Sequence, residues 1–195
     1  MKGKTMLNTT SRRIALSAGV AVLALQAHAQ EPDYCGAESE AWWAEEAATL
    51  DGVWSVQNGA GVLTMNGRTV PLPTGDASTA SISVTAGGLT IDGGPAPGSY
   101  PLELYRGPDL NFTPEEGSAA AAANVLDGDE MSTVLGCDLN ALPRLHATGT
   151  FTEPQGQVEF DLYLIVQGPG FMTGATIGRL NGGQGIARRA ITFTR

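Results

Sequence analysis

The chain has 195 residues, with 20 Asp and Glu against 11 Lys and Arg and a net charge of −9. That length suits one domain with its own core. So acidic a balance repels phosphate backbones and anionic lipid surfaces, which argues against nucleic-acid and membrane-surface partners.

The first 29 residues read as a cleaved export signal. Lys2, Lys4, Arg12 and Arg13 form a basic head, Ile14 to Leu25 is an apolar run, and Ala27-His28-Ala29 is a small-x-small cleavage site. The apolar run is shorter than the roughly 20 residues that cross a bilayer, so no membrane insertion is expected. Ser11-Arg12-Arg13-Ile14-Ala15-Leu16 shares its Ser, paired Arg and Leu with the twin-arginine signal. It has Ala15 and Ser17 where that signal has Phe and Lys, so general secretion is favoured, with the twin-arginine route as the alternative. The expected location is periplasmic or secreted. Cleavage would remove four of the 11 basic residues and none of the 20 acids, leaving seven arginines and no lysine. In an oxidising compartment Cys35 and Cys137 read as one disulfide, tying an N-terminal arm to the body.

Residues 30–49 form that arm. Ser39 to Ala48 has helix formers, with Ser39 as a cap and Trp42 and Trp43 inside. Residues 50–195 follow as a single domain of short β-type runs. Val53 to Gln57 and Val62 to Met65 are separated by Asn58-Gly59-Ala60-Gly61, a hairpin signal, and Asn66-Gly67 turns the chain again before Arg68 to Leu72. Pro71 and Pro73 place that last run at an edge or in a loop. Strands follow at Ser81 to Ala86, Leu89 to Ile91 and Tyr100 to Arg106. Thr113-Pro114-Glu115-Glu116 fits a capping box, and Pro114 to Leu126 reads as a helix or as a mobile low-complexity loop.

The last third alternates most clearly. Leu145, Ala147, Gly149 and Phe151 share one face, and so do Val158, Phe160, Leu162, Leu164 and Val166. Glu153-Pro154-Gln155-Gly156, Gly168-Pro169-Gly170 and Asn181-Gly182-Gly183 turn the chain between strands and into Ile186 to Thr194. About nine or ten strands joined by tight turns must bury one face and hide two edges, which an up-and-down antiparallel β-barrel does by closing on itself. The expected class is all-β, a barrel with a short N-terminal helix and a helical insert. A β-sandwich is the alternative.

Leu50-Asp51-Gly52-Val53-Trp54 places a Gly-x-Trp at the start of the first strand, and the last strand carries Arg189 and ends with Arg195. This arrangement resembles lipocalins and their calycin relatives, in which the first-strand tryptophan closes the barrel floor and a late arginine packs across it. The resemblance implies structural roles for Gly52 and Trp54, with Arg189 or Arg195 as the partner. The glycine-rich hairpins before Gly98 and the alanine-rich insert depart from the family pattern. Calycin relatives include carriers of small apolar molecules, protease inhibitors and a few enzymes.

Signals of chemistry are few. Beyond the leader His146 is the one histidine, and its alternation puts it with Thr148 and Thr150, away from the apolar face. There is no Gly-x-Ser-x-Gly elbow, and one histidine with two paired cysteines cannot build a typical zinc site. Asp127, Asp129, Glu130 and Asp138 lack EF-hand spacing and read as a solvated acidic turn. Glu159 and Asp161 share the polar face of one strand, with Glu103 on another, the remaining option for carboxylate chemistry. No catalytic residue, metal or cofactor is expected. Trp54, Tyr105, Phe151, Phe160, Phe171 and Phe193 could line a lumen or fill a core. The expected function is non-enzymatic binding of a small apolar ligand or of another exported protein. An inhibitor-like interaction module without a cavity and a carboxylate-based barrel enzyme are the alternatives.

Overall fold

The computed structural model describes residues 34–36, 40–86, 88–107 and 128–195, all within one compact unit, Pro32–Arg195. The expected signal segment and the expected helix from Pro114 to Leu126 lie outside the described residues. Nine strands form one antiparallel sheet: β1 (Gly52–Met65), β2 (Arg68–Leu72), β3 (Ala77–Thr85), β4 (Gly88–Gly93), β5 (Ser99–Leu104), β6 (Arg144–Glu153), β7 (Gly156–Gly168), β8 (Phe171–Leu180) and β9 (Gly185–Thr194). β1 pairs with β9 as well as with β3, so β1 and β3 to β9 close an eight-stranded barrel and β2 is an extra strand.

The Asn58–Gly61 stretch departs from the hairpin expected there. It is an irregularity inside one 14-residue strand, where the register with β9 shifts between Asn58 and Gly61. A side chain at Gly61 would run into the backbone carbonyl of Arg188, so only glycine lets β1 and β9 approach there. The lower half of β1 pairs with β3 and the upper half with β2, so the strand outlasts the barrel wall and carries a hairpin above it. Asn66 and Gly67, with φ of 51° and 71°, supply the two left-handed residues of that tight turn.

Inward positions follow the period of two. Trp54, Val56, Ile82, Ile91, Leu102, Leu145, Leu162, Leu164, Met172, Ile191 and Phe193 are each no more than 2 % exposed and form the core. α1 (Glu40–Glu46) and a 3-10 turn (Ala47–Leu50) precede β1, and Trp42, Ala47 and Leu50 join the same apolar cluster. A helix this short cannot stand alone in water, and the buried Trp42 is what holds it. Cys35 and Cys137 lie at disulfide distance, with Cα atoms 6.1 Å apart, and the Gly36 amide donates to the Ala141 carbonyl at 2.7 Å. The arm is thus tied to the segment entering β6. That segment contains α2 (Gly128–Leu135), where the sequence suggested only an acidic turn. Asp129 and Glu130 occupy its first turn, where the helix dipole favours acids.

The β5–β6 seam is short, with Glu103 opposite His146 and Leu104 opposite Leu145. The Tyr105 amide donates to the Arg144 carbonyl, so every second residue of β5 turns its backbone groups toward β6. Pro101 would face Thr148 in that series. Lacking an N–H, it cannot donate to the Thr148 carbonyl, and the paired residues stop short of it. Above it the Tyr100 ring packs against Gly149 and meets Phe160 edge-on at 4.7 Å, filling the seam from inside.

Candidate functional site

The barrel is tightly packed at one end and carries a half-open cavity at the other. At the lower end, where β1 begins, Trp54 is fully buried and its Nε1 donates to the Leu50 carbonyl at 2.9 Å. Phe193 meets it edge-on at 6.4 Å. The Arg195 guanidinium lies 4.5 Å from the Trp54 ring centre and donates to the carbonyls of Thr49, Asp51 and Pro169. Of the two arginines left open by the sequence, Arg195 is the one over Trp54. Gly52, with φ of 134°, lets β1 start beneath that guanidinium.

At the upper end a cavity of about 370 Å³ opens among the strand ends. Phe151, Val158, Phe160 and Ala187 give it apolar walls, and Asn58, Thr176 and Arg189 bring polar groups to it. β9 alternation puts Arg189 inside with Ile191 and Phe193, while Arg188 is exposed. Arg189 Nη1 donates to the Gly59 carbonyl at 3.0 Å and the Pro73 carbonyl at 2.8 Å, fastening the loop after β2 to the irregular part of β1.

Of the six aromatics singled out from the sequence, Phe151 and Phe160 line this cavity, 6.0 Å apart between ring centres. Trp54 and Phe193 lie in the packed floor, and Phe171 is exposed where β8 begins. Tyr105 follows the inward Leu104 and so stands on the outer face, with its ring edge-on to His146 and Tyr163 at 6.0 and 5.5 Å. Trp42 is buried in the core cluster and Trp43 packs against it, so the arm's two tryptophans serve the fold.

On that outer face His146 stacks on Tyr163, and its Nε2 is 3.0 Å from Asp161 Oδ1. Arg179 donates to the other Asp161 oxygen. Burial pushes the Asp161 carboxyl up, but the hydrogen bonds and charges of Arg179 and His146 outweigh it, and its pKa stands below the ordinary carboxylate value. Burial and the neighbouring Asp161 raise the Tyr163 phenol. This group ties β6, β7 and β8 together on the outside, opposite the inward Leu162. Glu159 and Asp161 share the outer face of β7, and Glu103 faces His146 across the seam. The Asp138 carboxylate accepts from the Asn140 amide at 2.8 Å and caps a 3-10 turn. Among the described residues, no group of three or more His, Cys, Asp or Glu is placed to hold a metal ion, and no helix is long and apolar enough to cross a membrane.

Comparison of the chain with protein-family models, with curated proteins and with solved structures found no match in any of the three.

Proposed function

We propose that this protein is an exported, non-enzymatic β-barrel of lipocalin-like type that holds a small apolar ligand in the mouth of its lumen. The observation that carries this reading is a half-open cavity of about 370 Å³ at the upper end of the barrel, bordered by Phe151, Val158 and Phe160. Small-molecule pockets begin near about 300 Å³ and combine apolar walls with a few placed polar groups, the role open to Asn58, Thr176 and Arg189. Export is supported by the basic and apolar leader and by the Cys35–Cys137 pair, a bond that persists in oxidising surroundings. The lipocalin-like character is supported by the eight-stranded closure and by Arg195 stacked on the first-strand Trp54.

The test fills the cavity. A Cβ at Gly178 would meet only Val158 Cγ1, at 3.5 Å, an ordinary contact, and Gly178 borders the cavity, so Gly178→Leu places a side chain there. N-phenylnaphthylamine, an apolar fluorophore, is expected to brighten with the wild-type protein and not with Gly178→Leu, while the unfolding midpoint of the variant holds. Equal brightening by both proteins refutes the cavity as the site. Native mass spectrometry of protein recovered from its own periplasm then identifies what the mouth carries.

A further inference from the structure

Building on the cavity as a ligand site, we infer that its ligand is a small amphiphile with an anionic head, which Arg189 binds while Phe151, Val158 and Phe160 enclose the tail. Arg189 stands on the inner face of β9 at the cavity, among apolar walls. Arg106 and Arg179 each face a carboxylate, Glu40 and Asp161. The bonds of Arg189 run to two carbonyls, of Gly59 and Pro73, and both leave from Nη1. A guanidinium has five N–H donors in a planar fork, and here Nε and Nη2 remain for a ligand. The two carbonyl bonds hold that fork in place before any ligand arrives, which spares the ordering cost of binding. An anion meeting it beside apolar walls forms charge-assisted hydrogen bonds, stronger there than in water.

The chain as a whole is acidic, with a net charge of −9, so long-range steering does not favour an anion. The preference must come from contact, and this makes the test sharp. Without a cationic partner an alcohol would enter the apolar mouth more readily than a carboxylate, because burying an unpaired charge is costly. Decanoate and decanol are titrated calorimetrically into the whole protein at neutral pH, with decyl phosphate in parallel to separate carboxylate from phosphate heads. Either anion is expected to bind about tenfold or more tighter than decanol, and Arg189→Met is expected to reverse that order, whereas Arg188→Met keeps it. Phenylglyoxal labelling of the wild type, mapped by peptide mass spectrometry, reads the contact without a variant: the bound anion shields Arg189 and leaves Arg188 reactive. Decanol binding as tightly as both anions, or labelling of Arg189 unchanged by a bound anion, overturns the anionic head and leaves the cavity reading standing. If neither anion nor decanol binds, the cavity reading falls and the head assignment falls with it.

Discussion

Trp54 is the position where the fold can be challenged most directly. Replacing it by alanine empties the barrel floor, and a buried Trp→Ala change costs about 3–5 kcal/mol. The indole Nε1 also satisfies the Leu50 carbonyl at 2.9 Å, and its ring carries the Arg195 guanidinium at 4.5 Å. A carbonyl left without its donor in a buried site costs about 1–3 kcal/mol, and the cation–ring contact is worth about 0.5–1 kcal/mol at an exposed arginine. These contributions overlap, so the expected loss is about 4–6 kcal/mol, a large part of the about 5–15 kcal/mol that holds a typical domain folded. Urea unfolding followed by far-ultraviolet circular dichroism measures it without relying on tryptophan emission. A double-mutant cycle with Arg195→Met should return a coupling of about 0.5–1 kcal/mol between the two side chains. If Trp54→Ala lowers stability by less than about 1 kcal/mol, the floor is not built as described and the reason for likening it to lipocalins is gone.

Three further outcomes are expected. Asp161 titrates below its unfolded value, so its contribution is present above an unfolded pKa near about 4 and is lost as pH falls through the lower folded pKa. Urea midpoints measured from neutral to acid pH should therefore fall less steeply for Asp161→Asn than for the wild type, and parallel profiles would contradict the Arg179 and His146 bonds. At the seam, hydrogen exchange should separate neighbours by parity: the Thr150 amide, facing β5 beyond Pro101, exchanges fast, while Ala147 and Gly149, bonded to β7, are protected. Uniform protection along β6 would mean that the ladder continues past the proline. Reducing the Cys35–Cys137 pair, 102 residues apart in sequence, should cost about 2–4 kcal/mol in urea unfolding, and a curve indifferent to reductant would show that the bond does not constrain the chain.

What was legible in the sequence and what was not have a common physical origin. Alternation is a local signal, so the inward phase of Leu145, Leu162 and Leu164 could be read from spacing and is the phase they adopt. Closure followed from the succession of tight turns. The Asn58–Gly61 stretch misled because glycine serves both turns and close backbone approaches. Which role it takes depended on Arg188, more than a hundred positions away and invisible locally. The helix Gly128–Leu135 was hidden by its acids, which signal a solvated turn in isolation and a favoured first turn once a helix follows. Residue type alone marks the six aromatics, whereas phase decides place: Tyr105 is one step beyond an inward Leu104, and Phe171 is one step before an inward Met172. Arg189 gave no signal as a cavity residue, because Arg188 beside it is the same residue type and only the register with β1 and β8 distinguishes them.

The cavity end can be traced along single strands. Going up β8 the inward series is Met172, Gly174, Thr176, Gly178; down to up on β9 it is Phe193, Ile191, Arg189, Ala187; on β6 it is Leu145, Ala147, Gly149 before Phe151 at the rim. Small residues enter these series above the floor: Gly174 and Gly178 on β8, Ala187 on β9, and Ala147 and Gly149 on β6. The larger Phe151, Phe160 and Arg189 border a cavity rather than fill it. The glycines in these series are not equivalent. Gly174 admits no side chain because the Tyr163 carbonyl crowds it, and the place a side chain at Gly149 would take is already held by the Tyr100 ring. Gly178 alone of the three has room before it, with Val158 Cγ1 as its nearest neighbour at 3.5 Å. Packing demands explain the first two glycines and leave the third without a structural reason, at a point where a larger residue would narrow the cavity.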